Sequence, residues 1–553
     1  MSVLNGGQII AKQLKREGID TVFAVYAGPM TQALAGLADE SVRVVGCRHE
    51  EQAGFMAQAW GYINKKPGIV IAGSGPAVSN TVTSLQVATD SGLPLVVLGG
   101  SAGASTHSNR PTRAFGGFQE TDQVALTTAA CKWAVEVDVT DRIPEFLHIG
   151  LGKAVSGRPG GVYIDFPGHL VQASVPEENV QWRETQPAVY QPHGDPAGVE
   201  AIAKLLAEAE RPLILVGKGA AWADAAESLQ KLAAMGIPFV ASPMGRGTIP
   251  DDDPRNAGSA RSSALRNADA VLMAGGRFNW IFQFGRPPTF ASNAKFAHID
   301  IVPEEMTSAA NIDIGLVADC AAATGQIVEA LAGRRLRTAA TGWLTGLQEQ
   351  AQRNRAALNE IMASDSVPIS PYRLVRDVRD SLARDATISV DGEITLGIGR
   401  LILPSYYPRH RLNSGTTACM GTGVPYAIGA KLARPDLQSV AVLGDYAFGA
   451  SAMEIETAAR MNAAVVFVIV NNAGIVGRSA QQNTFGFEEP LISGLIPADY
   501  EKMAEMVGGY AEKVEDPAEI KPAIGRALES GKVSLLNVMV DPKGGVRRGG
   551  GYL

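Results

Sequence analysis

The chain has 553 residues, 46% of them hydrophobic and 19% charged, the balance of a folded globular protein and not of a disordered one. At roughly 150 residues per domain, this length holds three or four domains. With 49 Lys plus Arg against 56 Asp plus Glu, the net charge is −7, which speaks against a broad nucleic-acid-binding surface.

Residues 1–18 read as an amphipathic helix and lack the apolar core of a secretory signal. No apolar run approaches 18 residues, so no membrane span is expected. Cys47, Cys131, Cys320 and Cys419 lie far apart, with no CxxC pair and no zinc spacing. The terminal Gly-Gly-Tyr-Leu is neither a prenylation box nor a peroxisomal signal. The expectation is a cytoplasmic protein with no membrane or nucleic-acid partner.

Along the chain, short β-branched runs alternate with helix-length amphipathic runs. The strand-like runs include 42–45, 68–72, 94–98, 162–165, 212–216, 271–274, 387–390, 440–443 and 464–470. They read as buried parallel strands joined by crossover helices, an α/β protein with doubly wound parallel sheets. One break follows Asp165-Phe-Pro-Gly, where the chain turns polar and Pro/Gln-rich until a helix starts near Ala197. A second follows Leu331, where charged helical sequence leads to Val367-Pro-Ile-Ser-Pro-Tyr. Three domains are expected, 1–185, 186–335 and 365–553. The first and third share length and rhythm, as related folds would.

In the third domain an apolar run enters Gly444-Asp445, a helix is expected over 452–461, and a second apolar run ends in Asn471-Asn472-Ala473-Gly474. Asp445 and Asn472 are 27 residues apart, the length of one crossover helix. Both side chains can therefore sit at the carboxyl ends of neighbouring parallel strands, where ligands bind in such sheets. A carboxylate, an amide oxygen and a backbone carbonyl are hard ligands suited to Mg²⁺ that also takes phosphate oxygens. Backbone N–H groups after Gly444 suit a diphosphate. In the first domain, Cys47-Arg48-His49-Glu50-Glu51 opens a helix directly after a strand.

Gly-Asp-x25-Asn-Asn resembles the signature of thiamine-diphosphate enzymes. The resemblance implies that Asp445, Asn472 and the Gly474 carbonyl hold Mg²⁺. Arg-His-Glu resembles the family's activating motif and points to Glu50, since helix geometry turns Glu51 about 100° away. In that family this glutamate contacts N1′ of the aminopyrimidine and helps the cofactor lose its C2 proton. Ser74-Gly75-Pro76…Asn80 resembles the family's next loop. Met420 matches the apolar wedge that bends the cofactor. The implied cofactor-binding positions are Glu50, Ser74, Asn80, Ala418, Met420, Gly444, Asp445, Tyr446, Ala447, Asn472, Gly474 and Ile475. Tyr446 departs from the small residue usual there. The implied domains are pyrimidine-binding, central Rossmann-like and diphosphate-binding. The two half-sites would meet between subunits of a homodimer at least, commonly a homotetramer.

Within the family the chain looks most like 2-hydroxyacyl-CoA lyase and oxalyl-CoA decarboxylase, in stretches such as Gly116-Gly-Phe-Gln-Glu120, Gly276-Arg-Phe-Asn-Trp280 and Met453-Glu-Ile-Glu-Thr457. Gln119 and Glu120 become candidates for polar catalytic groups over C2. In the oxalyl-CoA branch a bound ADP uses positions matching Arg158, Gly217, Lys218, Arg277 and Asp300. Arg261 and Ser262 resemble positions near the CoA pocket.

Several positions depart from both branches. Val476 replaces a tyrosine, the tail reads Arg547-Arg548-Gly549-Gly550-Gly551, and Asp391-Gly-Glu-Ile places Glu393 near the reacting end of the pocket. The leading expectation is a thiamine-diphosphate and Mg²⁺ dependent C–C lyase or carboligase that reversibly splits a 2-hydroxyacyl-CoA into an aldehyde or ketone plus formyl-CoA. Alternatives are oxalyl-CoA decarboxylase, or a CoA-independent carboligase or decarboxylase on free aldehydes or 2-keto acids, of benzaldehyde lyase or acetolactate synthase type. The ligand of the central domain stays open between ADP or CoA, a flavin (FAD) as in acetolactate synthases, and nothing. A non-catalytic nucleotide-sensing scaffold is the remaining alternative.

Overall fold

Runs such as Ile69–Ala72 and Val465–Val470 are apolar at consecutive positions, so both faces of each strand need cover. Parallel sheets with helices on both sides provide it. In the computed structural model, which describes residues 2–26, 28–103, 117–184, 190–475 and 494–544, three such sheets form.

The first has six parallel strands in the spatial order Arg43–Gly46, Thr21–Ala24, Gly68–Ala72, Leu95–Ser101, Gly161–Pro167, Trp133–Glu136. The third runs Arg411–Leu412, Thr387–Asp391, Ser439–Gly444, Val465–Asn471, Ser534–Met539, Tyr510–Val514. Numbered in chain order within each sheet, both read 2-1-3-4-6-5. The expected kinship of rhythm is thus matched by identical strand order. The middle sheet has five parallel strands, Phe239–Ala241, Pro212–Val216, Ala270–Ala274, Lys295–Asp300, Ile314–Val317. In all three the order reverses between the first and third strands, and the crevice beyond their carboxyl ends is where such folds bind ligands.

The chain divides into two compact units. One comprises Met1–Val189, Thr417–Pro435 and Ser451–Ala463; the other comprises Tyr190–Thr416, Asp436–Ala450 and Ala464–Leu553. The first unit holds the first sheet, with a core that includes Ile9, Val22, Ile71, Leu98 and Ile164. Within it the helix Glu50–Asn64 is buried almost all round, because the helix Gly423–Ala433 packs along it. Gly429 permits the approach: a Cβ there would lie 2.4 Å from the Met56 carbonyl oxygen. The Tyr426 hydroxyl donates to Gln58 Oε1 at 2.7 Å, and its ring meets Phe55 edge-on at 5.8 Å. The second unit holds the other two sheets, each with its own core. Among the described residues no helix is long and apolar enough to cross a membrane.

Candidate active site

The strands Ser439–Gly444 and Val465–Asn471 lie side by side, with Gly444 paired to Val470. Their carboxyl ends therefore carry Asp445 and Asn472 to one edge, as the spacing predicts. Asp445 is 1% exposed. Its Oδ1 accepts the Tyr446 N–H at 2.7 Å and its Oδ2 the Gly474 N–H at 3.1 Å. Burial pushes its pKa up to about 6, and the amides of Tyr446, Gly474, Ala473 and Asn472 oppose that rise only in part.

The Asn472 amide contacts Asp445 Oδ1 at 3.3 Å and the Gly474 carbonyl oxygen at 2.7 Å. Both neighbours are acceptors, so the amide has two consistent states. Turned with its NH₂ inward, it donates to both. Turned with its oxygen inward, it completes a cluster of three oxygens that only a cation can hold together. That donor set fits Mg²⁺. Among the described residues no group of three His, Cys, Asp or Glu could hold a metal, so this mixed carboxylate–amide–carbonyl set is the candidate.

Asn471 is a strut. Its Nδ2 donates to Asn537 Oδ1 at 3.0 Å and to the Ala498 carbonyl at 3.2 Å, and Asn537 in turn donates to Glu501 at 2.7 Å. This buried network fixes the strand end, and Ala473 takes a left-handed φ of 54° immediately beyond it. On the other side Gly392 (φ 92°) brings its backbone against Gly444; a Cβ there would lie 3.3 Å from the Gly444 nitrogen. Glu393 follows as the first residue of the helix Glu393–Ile402 and is exposed, though the partial burial of its carboxyl raises the pKa. Ala447 is buried, Ile475 half-buried, and the Tyr446 ring is exposed. Val476 and the tail 547–551 lie outside the described residues, as does Gly116.

In the first unit Glu50 is the first residue of its helix, capped by His49, whose ring accepts the Glu51 N–H at 3.2 Å. Glu50 Oε2 accepts from the Asn80 amide at 3.0 Å, so the structure joins two of the expected positions. One residue with a direct part here carried no assigned role in the sequence reading: Glu454. It is 1% exposed, and its Oε1 accepts the N–H groups of Arg48 and His49 at 3.0 and 3.1 Å. Its Oε2 accepts from the Thr457 hydroxyl at 2.6 Å. A buried glutamate nine residues past Asp445 was the available signal. Burial raises its pKa, against the pull of these donors.

Ser74 is buried and donates to Gln119 Oε1 at 2.9 Å. Gln119 is exposed and Glu120 half-buried. Ala418 takes a φ of 52°, and Met420 is 41% exposed, so it is not a core methionine.

In the middle sheet Gly217 and Lys218 follow the first strand, Arg277 the third, and Asp300 ends the fourth, so these four share one sheet edge. Gly217 is needed for close approach: a Cβ there would lie 2.1 Å from the Gly275 carbonyl oxygen. Asp300 Oδ1 accepts the Val302 N–H at 2.9 Å, and Arg277 donates to Thr416 Oγ1 at 3.1 Å. Arg158 lies in the other unit, where its carbonyl accepts from Lys132 at 2.6 Å.

Arg261 and Ser262 line a cavity of about 750 Å³ that also receives Arg246, Arg266, Arg355 and Arg400. Asp251 is the one carboxylate on its wall, and it is paired with Arg246 at 2.5 Å. Burial, with Arg400 adding to it, pushes Arg261 down to about 10; burial, with Arg246 adding to it, does the same to Arg400. Nothing in the spacing of Arg246 or Arg400 marks them in the sequence.

The chain matches the family models for the thiamine pyrophosphate enzyme N-terminal TPP binding domain over residues 4–126, the central domain over 199–330 and the C-terminal TPP binding domain over 392–538. It is 33% identical to a 2-hydroxyacyl-CoA lyase of Oryza sativa subsp. japonica, over 99% of this chain and 97% of that one. It is 31% identical to the 2-hydroxyacyl-CoA lyase 1 of Homo sapiens, over 98% and 95%. It is 34% identical to an oxalyl-CoA decarboxylase of Escherichia coli strain K12, over 99% and 97%. Three domain matches in N-terminal, central and C-terminal order and relatives 31–34% identical over nearly the whole chain agree, and the chain belongs to the thiamine pyrophosphate enzymes.

Proposed function

We propose that this enzyme is a thiamine-diphosphate and Mg²⁺ dependent carbon–carbon lyase of the 2-hydroxyacyl-CoA type, which reversibly yields an aldehyde or ketone plus formyl-CoA. The observation that carries the acyl-CoA part is the arginine-lined cavity. Several guanidinium groups crowd its wall with one carboxylate between them, and a polyphosphate such as that of CoA would relieve their repulsion. Glu393, which the resemblance puts near the reacting end, would as an anion repel the second carboxylate of an oxalyl group and so favours a neutral 2-hydroxyacyl group.

When bound, thiamine diphosphate supplies a carbon nucleophile that also accepts the electron pair of the breaking bond. The chain does the rest. Asp445, Asn472 and the Gly474 carbonyl would hold Mg²⁺, which would supply positive charge for the diphosphate. Glu50 exchanges a proton with N1′ of the aminopyrimidine, held in place by Asn80. Gln119 and Glu120 present polar groups to the substrate oxygens. Arg261 and Ser262 take the CoA end. This reading includes self-association as a homodimer at least, and a cytoplasmic, Mg²⁺-loaded enzyme.

The test is turnover by purified protein with thiamine diphosphate and Mg²⁺, offered a panel of 2-hydroxyacyl-CoA thioesters, oxalyl-CoA, free 2-keto acids and aldehydes, with products read by mass spectrometry. Formyl-CoA plus an aldehyde or ketone is the expected result. Carbon dioxide from oxalyl-CoA, or activity on the free acids or aldehydes alone, overturns it.

A further inference from the structure

One segment, residues 74–80, touches two of the residues the proposed reaction uses. At one end the Ser74 hydroxyl donates to Gln119 Oε1 at 2.9 Å; at the other the Asn80 amide donates to Glu50 Oε2 at 3.0 Å. Between them Gly75 has a φ of 56° and lies flush against residue 119, where a Cβ would come within 2.5 Å of the Gln119 carbonyl oxygen. Gln119 itself has a φ of 51°. Gln119, unlike a glycine, needs something that holds it at a positive φ.

That support lies beneath the turn. The Gly75 N–H donates to Gln123 Oε1 at 2.6 Å. The Gln123 NH₂ faces Asp165 Oδ1 at 2.6 Å, the Tyr163 hydroxyl at 2.8 Å and the Gly100 carbonyl at 3.1 Å. Tyr163 donates to the same Asp165 oxygen at 2.7 Å, and Ser101 donates to Asp165 Oδ2 at 2.7 Å. All of these side chains are buried. The Gln123 amide therefore has one workable orientation, NH₂ toward Asp165 and oxygen toward Gly75. Apolar residues would close the sheet as well, so a fully satisfied polar cluster here serves geometry more than cohesion.

We infer that Asp165 and Gln123 are positioning residues that fix segment 74–80, and that through Ser74 they present the Gln119 amide to substrate as a hydrogen-bond donor. The inference rests on the proposed placement of Gln119 over the reacting carbon. With its oxygen taken by Ser74, Gln119 turns NH₂ outward, the polarity needed for a substrate oxygen that gains negative charge. Asp165 acts more widely, because the same segment also orients Glu50.

The experiment uses full-length protein loaded with thiamine diphosphate and Mg²⁺ and reads two rates. The first is substrate-free exchange of the cofactor C2 hydrogen for deuterium. The second is kcat and KM with the panel substrate that the wild type turns over fastest. Ser74→Ala is expected to lower kcat at least about tenfold, clearly more than it slows C2 exchange or raises KM. Ser74→Thr, which keeps the hydroxyl, restores kcat to within about threefold of wild type. Asp165→Asn is expected to slow exchange and kcat together, each at least about tenfold. If Asp165→Asn does not fold, Ser101→Ala removes one donor to the same carboxylate and is expected to slow both rates about threefold. Wild-type kcat in Ser74→Ala overturns the inference, and so does wild-type exchange in whichever of Asp165→Asn and Ser101→Ala folds. Failure of the underlying reading shows separately, as a wild type whose best substrate is not a 2-hydroxyacyl-CoA.

Discussion

Gly474 faces Asp445 with its N–H, at 3.1 Å from Oδ2, while its carbonyl oxygen faces the Asn472 amide at 2.7 Å. One residue thus ties the carboxylate down and supplies an oxygen beside it. Without a cation the Asn472 NH₂ bridges the two acceptors; with one, the amide turns its oxygen inward and joins them as a ligand. Asp445→Ala removes the one charged ligand. It is expected to weaken Mg²⁺-dependent binding of thiamine diphosphate at least about 100-fold by calorimetry. Wild-type affinity in this variant would sink the metal assignment.

The same burial gives a pH dependence of defined sign. Burial raises the Asp445 pKa to about 6 in the folded chain, from about 3.9 when unfolded. Between those values the folded state keeps a proton that the unfolded state releases. Stability from this group is therefore present below about pH 4 and lost as pH rises through about 6, a change of about 3 kcal/mol. Mg²⁺ with thiamine diphosphate needs the ionised carboxylate. Added together they are expected to raise Tm more at pH 7.5 than at pH 5, by scanning calorimetry. Asp445→Asn abolishes that difference; an equal shift at both pH values in wild type contradicts it.

Glu50 offers one oxygen to Asn80 at 3.0 Å, and in the proposed function its carboxyl serves a ring nitrogen of the cofactor. Glu50→Gln keeps the shape and removes the exchangeable proton. The variant is expected to fold and bind cofactor but slow C2 exchange by at least about 100-fold, measured by NMR. Exchange at the wild-type rate would remove Glu50 from its proposed role.

Much of this is legible in the sequence. Apolar runs such as 68–72 and 212–216 coincide with strands because a central parallel strand must be apolar on both faces. Asp445 and Asn472 are legible because one crossover helix fixes the spacing between adjacent strand ends. The edge strands Trp133–Glu136 and Tyr510–Val514 are not, since they carry Glu and Lys and lie half-buried. The support of the sites is also hidden. Gln123 and Asp165 are 42 residues apart, and Glu454 meets Arg48 across 406. No local period or spacing encodes such contacts; only the closed fold brings them together.

Glu454 gives a prediction of stability. Its carboxylate satisfies two consecutive backbone amides ahead of the helix that starts at Glu50. Glu454→Ala removes a buried acceptor from two amides on the exposed residues Arg48 and His49, at about 0.5–1.5 kcal/mol for each hydrogen bond. Urea unfolding of the full chain is expected to shift to lower midpoint with unchanged slope. C2 exchange is expected to slow as well, because residues 48 and 49 set where Glu50 begins. A midpoint within experimental error of wild type would show that water replaces the carboxylate freely.

Arg261 and Arg400 predict where CoA acts. Each is pushed down to about 10, first by burial and then by a neighbouring arginine, so each charge is held against repulsion. A phosphate between them reverses that balance, and each charge-assisted bond is worth about 1.5–3 kcal/mol. Arg261→Ala is therefore expected to raise KM for an acyl-CoA thioester by about 10- to 100-fold with little change in kcat, the mark of lost ground-state binding. Raising salt from low to physiological strength is expected to raise the wild-type KM and leave the variant less affected. Steady-state kinetics at two ionic strengths checks both. If Arg261→Ala lowers kcat and leaves KM alone, the arginine cavity serves the chemistry and not the CoA end of the substrate.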